Sequence, residues 1–211
     1  MKRFFDVTIA TLGLLVTGPA ILLLMTAVWL YDRHMPLYLA PRVGLHGKSF
    51  RMVKLRSMIV GADRTQVDST ADSDPRITPV GRSMRRCKLD ELPQLWNVLR
   101  GDMSFVGPRP NVRRETDLYT AVERRLLDAK PGITDFGSIV YADLGDILRG
   151  QIDPNIAYNQ LVRPGKSTLG IFYVEHQTLW TDLQLCWLTM LAMVSRPRSL
   201  AGVQRLMRNI G

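Results

Sequence analysis

The sequence predicts an α+β fold: an N-terminal membrane helix, then a small, mostly helical cytosolic domain with a short β-hairpin, then amphipathic interfacial helices. Three observations support this prediction. Residues 7–31 are uncharged and mostly apolar, residues 37–55 alternate β-prone pieces with turns, and helical spacing of apolar residues begins at Leu92. We divide the 211 residues into a re-entrant membrane helix at 1–33, one domain at 34–198 and a basic amphipathic tail at 199–211.

Composition and charge restrict the class of protein. With 46% hydrophobic and 22% charged residues, the chain is not disordered, collagen-like or coiled-coil. Two cysteines are too few for a disulfide scaffold or a cysteine-rich zinc site, which favours a reducing compartment. The net charge of +9 indicates polyanionic partners: nucleic acid, an anionic membrane face or phosphorylated substrates. Charge alone does not choose among these three.

The apolar run at 7–31 is long enough to cross a membrane. As a helix rising ~1.5 Å per residue it would exceed the ~30 Å hydrocarbon core. Gly18-Pro19 interrupts its middle, and basic residues flank both ends, which favours a cytoplasmic location for each end. A re-entrant hairpin meets both conditions. A single span that tolerates the proline remains the alternative on the residues alone.

Short strands are predicted directly after the membrane segment. Residues 37–39 and 49–55 are β-prone and flank a turn at 44–47, so they form a hairpin. Residues 61–79 are polar and turn-forming, which predicts a surface loop. Asp72-Ser73-Asp74 within it is a candidate metal-binding triplet, but two acids before a proline are more typical of a solvated turn.

Helices are predicted in the second half of the chain. Apolar residues recur at helical spacing over 92–99, and two further helices are predicted over 112–129 and 182–194. Residues 199–210 form a basic amphipathic helix. This helix suits either a membrane surface or packing onto the domain.

The densest chemistry lies between residues 82 and 114, where many cations surround three acids. The cations are Arg82, Arg85, Arg86, Lys88, Arg100, Arg109, Arg113 and Arg114, and the acids are Asp90, Glu91 and Asp102. Arginines at this density fit phosphate recognition through bidentate, charge-assisted hydrogen bonds.

The two adjacent acids have two interpretations. In one, Pro93 lies in the first helical turn, Asp90 caps that helix and Glu91 complements its dipole. In the other, the cations keep a carboxylate ionised so that it binds a divalent cation or attacks phosphorus. The stiff turn at 107–110, which aims Arg109, favours the second interpretation.

Residues 88–110 (KLDELPQLWNVLRGDMSFVGPRP) resemble the signature of the bacterial sugar transferases, or monotopic phosphoglycosyl transferases, almost throughout. This family starts glycan assembly on polyprenol phosphate. Further family-like stretches occur in the expected order: Lys2-Arg3 with Asp6, then 54–58, 74–78 and 130–134. The resemblance covers nearly the whole chain.

The resemblance implies a two-step reaction. Asp90 would attack the sugar-attached phosphate of a nucleotide diphosphate sugar, release nucleoside monophosphate and retain a phosphosugar. Polyprenol phosphate would then accept that phosphosugar. Glu91, together with Asp90, would hold Mg²⁺, and Lys54, Arg85 and Arg109 would contact phosphate.

The resemblance also implies a helix broken at a proline, partners and a location. The expected partners are a UDP-sugar, undecaprenyl phosphate as the polyprenol and membrane lipids; a homo-oligomer is left open. The expected location is the cytoplasmic face of the bacterial inner membrane. Nucleic acid is not expected, because the chain has no aromatic stacking motif and no recognised nucleic-acid fold.

Departures from the family pattern leave the sugar undetermined. The helix-breaking pair is Gly18-Pro19 rather than Ser-Pro, and residues 135–141 and 143–173 differ from the usual pattern. Residues 165–168 resemble the end of a P-loop, but Gln160 stands where that motif needs glycine, so we reject it. Two other hypotheses remain: a membrane-anchored basic binding protein and an inactive scaffold.

Overall fold

The computed structural model describes residues 1–65, 74–148 and 153–211. The helices are α1 (Lys2–Asp32), α2 (Pro79–Arg86), α3 (Gln94–Arg100), α4 (Arg113–Thr116), α5 (Phe136–Val140), α6 (Leu144–Ile147), α7 (Pro154–Ala157), α8 (Arg163–His176), α9 (Leu179–Val194) and α10 (Arg196–Ile210). The strands are β1 (Leu37–Val43), β2 (Ser49–Leu55), β3 (Ser104–Val106) and β4 (Gly132–Thr134). The predicted mostly helical α+β architecture is confirmed. Asp72 and Ser73 of the candidate metal triplet lie outside the described residues, and Asp74 pairs with Arg76 at 2.6 Å.

The strands form two small sheets. Strands β1 and β2 pair antiparallel from Leu37 opposite Leu55 to Val43 opposite Ser49, which confirms the predicted hairpin. Strands β3 and β4 pair parallel, and the sequence analysis did not predict them because three residues are too few to display a periodicity. The β3–β4 pair brings Gly107 against the backbone of Lys130, where an added Cβ would lie 2.1 Å from the Lys130 carbonyl oxygen.

Helix α1 runs from Lys2 to Asp32 without interruption, so the expected break at Gly18-Pro19 is wrong as a break in secondary structure. A proline removes one helical hydrogen bond, and it can be accommodated within a helix by bending the axis. On length and composition, α1 is long and apolar enough to cross a membrane.

Both ends of α1 nevertheless contact the same domain. Near its N-terminus, the Asp6 carboxylate accepts hydrogen bonds from Ser104 Oγ and Phe105 N, both at 3.0 Å. At its C-terminus, Asp32 accepts two hydrogen bonds from Arg56 at 2.6 and 2.7 Å. A helix that crossed a membrane with its ends on opposite faces would have to break one of these sets of contacts. Both ends of α1 are therefore tied to one domain, although the helix itself does not reverse direction as a hairpin would.

The C-terminal helices form the largest core cluster. Its buried residues come from β3, α5, α8, α9 and α10: Val106, Phe136, Ile139, Tyr173, Leu185, Leu188, Val203 and Leu206. Helix α10 begins at Arg196, earlier than the predicted tail helix, and its apolar face packs into this core. Arg198, Arg205 and Arg208 remain exposed on the opposite face.

The single helix predicted over 112–129 is wrong. Helix α4 ends at Thr116, and a 3₁₀ segment, Glu123–Asp128, follows separately. The backbone N–H of Thr120 donates to Glu123 Oε2 at 3.0 Å, and that of Glu123 donates to Thr120 Oγ at 3.2 Å. This reciprocal capping box starts a new segment where the apolar pattern alone predicts continuity.

Candidate active site

Asp90 and Glu91 lie in a 3₁₀ turn, Leu89–Glu91, immediately before α3. Lys88 precedes the turn in the left-handed region with φ of 54°. Pro93 is the N-cap residue of α3, and no side chain caps that helix. The expectation that Pro93 lies inside the first turn is therefore wrong, and so is the interpretation of Asp90 as a helix cap.

Glu91 is held between two cations that the chain brings from distant positions. Lys54 Nζ, on β2, donates to Glu91 Oε1 at 2.9 Å. The Arg109 guanidinium donates hydrogen bonds to both carboxylate oxygens of Glu91, from Nη2 to Oε1 and from Nη1 to Oε2, the latter at 3.4 Å. Burial raises the pKa of Glu91, but Arg109 and Lys54 together outweigh it and hold that pKa well below its ordinary value. Glu91 is therefore ionised.

Asp90 has a different environment from its neighbour. Its side chain is buried, with 8% of the residue exposed, and it makes no hydrogen bond within residues 1–65, 74–148 and 153–211. Burial raises the pKa of Asp90, and the opposing effects of Lys54 and Arg85 do not cancel it. The cations thus keep Glu91 ionised as expected, whereas burial works against ionisation of Asp90.

Arg85 and Lys54 complete the predicted set of phosphate contacts. Arg85 lies half-buried in the last turn of α2 and acts electrostatically on Asp90. Helix α2 sits tightly against the chain after β2, because a Cβ on Gly81 would lie 1.9 Å from the Ser57 carbonyl oxygen. Burial lowers the pKa of Lys54, and Glu91 opposes that shift. The five predicted site residues therefore form one cluster.

The donor atoms of this cluster fit a magnesium ion that arrives with substrate. Within the described part of the chain, no group of three or more His, Cys, Asp or Glu side chains could hold a metal by itself. Mg²⁺ is commonly bound by one or two carboxylates together with substrate phosphates. Asp90 and Glu91 supply two adjacent carboxylates, and Lys54 and Arg109 already share the oxygens of Glu91.

A second group of polar residues lies beside Arg109, and the sequence pointed to only part of it. Asp135, Ser138, Tyr158 and Lys166 line an open cleft with Arg109. Asp135 and Ser138 belong to the loop at 135–141, which the family resemblance implies is in contact with the nucleotide sugar. Lys166 appeared only in the rejected P-loop match at 165–168, and Tyr158 had no sequence signal. In the structure Gly165 allows a close approach, because a Cβ there would lie 1.8 Å from Tyr141 Oη.

A buried carboxylate lies beside an ion-paired one, with lysine and arginine around both, and such a cluster is suited to a phosphorylated ligand. The chain belongs to the bacterial sugar transferase family, whose model matches residues 1–196. This confirms the resemblance in the signature at 88–110.

Several curated proteins are similar to this chain. The galactosyl transferase CpsE of Streptococcus agalactiae is 33% identical over 201 residues, which is 90% of this chain and 41% of CpsE. The undecaprenyl-phosphate glucose phosphotransferase of Komagataeibacter xylinus is 35% identical over 195 residues, 89% of this chain and 35% of that protein. The sugar transferase EpsL of Bacillus subtilis is 34% identical over 189 residues, 90% of this chain and 85% of EpsL. The chain thus spans less than half the length of the first two relatives.

Proposed function

We propose that this chain transfers a phosphosugar from a nucleotide diphosphate sugar to polyprenol phosphate through a covalent aspartyl intermediate. The observation that carries the proposal is a buried Asp90, whose carboxylate makes no hydrogen bond to the described residues, next to a Glu91 held by Lys54 and Arg109. Relatives named undecaprenyl-phosphate glucose and galactose phosphotransferases support the acceptor class. A relative from Erwinia amylovora named UDP-galactose-lipid carrier transferase supports a uridine nucleotide in the donor.

In the first step, a carboxylate oxygen of Asp90 attacks the phosphorus that bears the sugar. The bond from that phosphorus to the bridging oxygen of the diphosphate breaks, and nucleoside monophosphate leaves with the electron pair. In the second step, a phosphate oxygen of the polyprenol attacks the same phosphorus, and the Asp90 carboxylate departs. Each step exchanges one P–O bond for another, so no external oxidant or reductant is needed.

The cations lower the barrier to attack by one anion on another. Lys54, Arg85 and Arg109 neutralise charge on the transferred phosphate, and Glu91 holds two of them in place. Bound Mg²⁺, held by Asp90 and Glu91, would supply further neutralisation of the diphosphate.

The exposed apolar faces support attachment to a membrane. On α9, an apolar stripe at helical spacing faces outward: Trp180, Leu183, Trp187, Met190 and Val194. Leu15, Val16, Leu22 and Leu23 are exposed on α1. We assign both faces, with the exposed arginines of α10, to the cytoplasmic face of the bacterial inner membrane.

The proposed function is tested with a panel of nucleotide diphosphate sugars and polyprenol phosphate. We expect one donor to release nucleoside monophosphate before acceptor is added, in an amount limited by the enzyme present. A membrane-anchored binding protein or inactive scaffold would release none from any donor, which would refute the proposal.

The acid limb of the pH profile is expected to lie above the ordinary range of an aspartate. Asp90 must be ionised to attack, and its pKa is raised by burial, so kcat/KM should fall as pH drops through that raised value. Lys54→Met removes a cation that lowers the pKa of Asp90 and should move the limb to higher pH. The test is to measure kcat/KM against pH for both proteins. If the acid limb does not move in Lys54→Met, that limb does not report the ionisation of Asp90.

Both ends of α1 are expected to face the cytoplasm. One cysteine is placed in a short N-terminal extension and another replaces the exposed Met35, each in a background without Cys87 and Cys186. A membrane-impermeant thiol reagent outside intact cells should label neither position. Labelling of one position alone would establish a spanning helix.

A further inference from the structure

An open cleft lies beside Arg109, and its empty volume is about 440 Å³ when the solvent space at its opening is included. Its lining includes Asp135 and Ser138 from the start of α5, Tyr158, and Lys166 from α8. Arg109 belongs both to this cleft and to the ion-paired cluster at Glu91. A ligand in the cleft would therefore reach a cation of the reaction site.

Lys166 is a half-buried cation that forms no salt bridge with the described residues, although the nearby Asp135 and Glu115 act to raise its pKa. It forms no hydrogen bond or ion pair with any residue described in the structure, and its Nζ lies 5.6 Å from the ring centroid of Tyr158. Burial lowers the pKa of Lys166 to about 8, and the nearby Arg109 contributes to that shift. Two neighbouring cations, one of them without a salt bridge to the described residues, form a site for an anion.

The other arginine of the cleft is already occupied. Arg163 Nη2 donates to Glu123 Oε2 at 2.9 Å, and its Nε donates to Glu123 Oε1 at 3.1 Å. Arg109 is also paired, with Glu91, but it belongs to the reaction site as well as to the cleft, so an anion that enters beside Lys166 would meet Arg109 there.

Asp135 presents an acceptor in the same cleft. Only 5% of the residue is exposed, and its Oδ1 accepts from the backbone N–H and the hydroxyl of Ser138, both at 2.6 Å. Its Oδ2 accepts no hydrogen bond from the residues that the structure describes. A carboxylate oxygen that lines an open cleft and has no donor among the described residues suits the vicinal hydroxyls of a ribose.

We propose that this cleft holds the nucleoside monophosphate half of the donor, with its phosphate between Arg109 and Lys166 and its ribose hydroxyls at Asp135. The inference rests on the proposed function, because that reaction produces a nucleoside monophosphate leaving group. Anchoring the phosphate next to Arg109 keeps the leaving group beside the transferred phosphoryl group. Lys166 is then a substrate-binding residue that stabilises the negative charge of the leaving nucleotide.

The test measures nucleotide affinity without turnover, by calorimetry on the full chain in detergent. The probes are UMP, uridine and 2′-deoxy-UMP, with AMP, CMP and GMP as alternatives if wild type binds UMP weakly. A sugar 1-phosphate and polyprenol phosphate are measured as comparison ligands. Lys166→Met should weaken nucleoside monophosphate binding by about tenfold or more and leave uridine binding unchanged. Lys48→Met, an exposed lysine in the turn before β2, is the matched control and should change neither affinity.

Asp135→Asn tests the ribose contact separately, because asparagine caps a helix about as well as aspartate and α5 should persist. Wild type should prefer UMP to 2′-deoxy-UMP, and this variant should lose the preference.

Equal affinity for the nucleotide in wild type and Lys166→Met would overturn the inference. A change confined to sugar 1-phosphate or to polyprenol phosphate would also overturn it and assign the cleft to that ligand instead. Absence of binding of every nucleoside monophosphate to wild type would overturn it as well. Donor turnover by wild type tests the proposed function independently of these affinities.

Discussion

Asp90→Asn is expected to abolish turnover and leave the fold intact. A neutral amide cannot attack phosphorus, so kcat should fall by about 10³-fold to 10⁴-fold. Asp90 makes no hydrogen bond to the described residues, and asparagine has nearly the same shape, so packing should be preserved. Because burial raises the pKa of Asp90, the charged form is disfavoured in the folded state, and its removal should not lower stability at neutral pH.

The measurement is intact-protein mass spectrometry after incubation with donor and no acceptor. Wild type should gain the mass of one phosphosugar and lose it when polyprenol phosphate is added, whereas Asp90→Asn should gain none. Asp102→Asn is the matched control, since Asp102 lies in the same cation-rich segment but pairs with Arg100 at 3.4 Å. An active wild type without an adduct, and without nucleotide release before acceptor, would indicate direct transfer in a ternary complex.

Glu91→Gln is expected to reduce kcat by about 10²-fold to 10³-fold, because it removes the anchor shared by Lys54 and Arg109. Glutamine keeps one acceptor oxygen but no charge, so the two cations repel each other without a counterion between them. The apparent affinity for Mg²⁺ should fall too, since one of the two adjacent carboxylates is lost.

Steady-state rates across a magnesium titration test this prediction, with thermal unfolding to check the fold. Glu175→Gln is the control, because Glu175 forms an exposed ion pair with Arg125 at 2.7 Å and should affect neither rate nor magnesium affinity. If the Glu91→Gln enzyme keeps a rate within a few-fold of wild type, the proposed role of Glu91 in the reaction is refuted.

Local sequence patterns were sufficient to predict part of the secondary structure. They fail where contacts between residues distant in the chain determine where an element begins or ends. The β1–β2 hairpin follows from β-prone residues around a turn, and the helical spacing after Leu92 corresponds to α3. The continuous helix predicted over 112–129 fails at the local capping box of Thr120 and Glu123, and Arg163 and Ser167 from α8 then fix Glu123 from a distance. A periodicity of apolar residues contains no information about those partners.

The sequence by itself determined the family and the apolar N-terminal helix, because each depends on patterns of residues close together in the chain. It also predicted which carboxylates and cations belong to the site. Only the tertiary structure decided that Lys54 and Arg109 meet at Glu91, since they lie 37 and 18 positions away from it. It also decided that adjacent carboxylates differ: ion pairing lowers the pKa of Glu91, whereas burial raises that of Asp90. Burial and distances between atoms arise from packing of remote segments, and these set the electrostatics of the site.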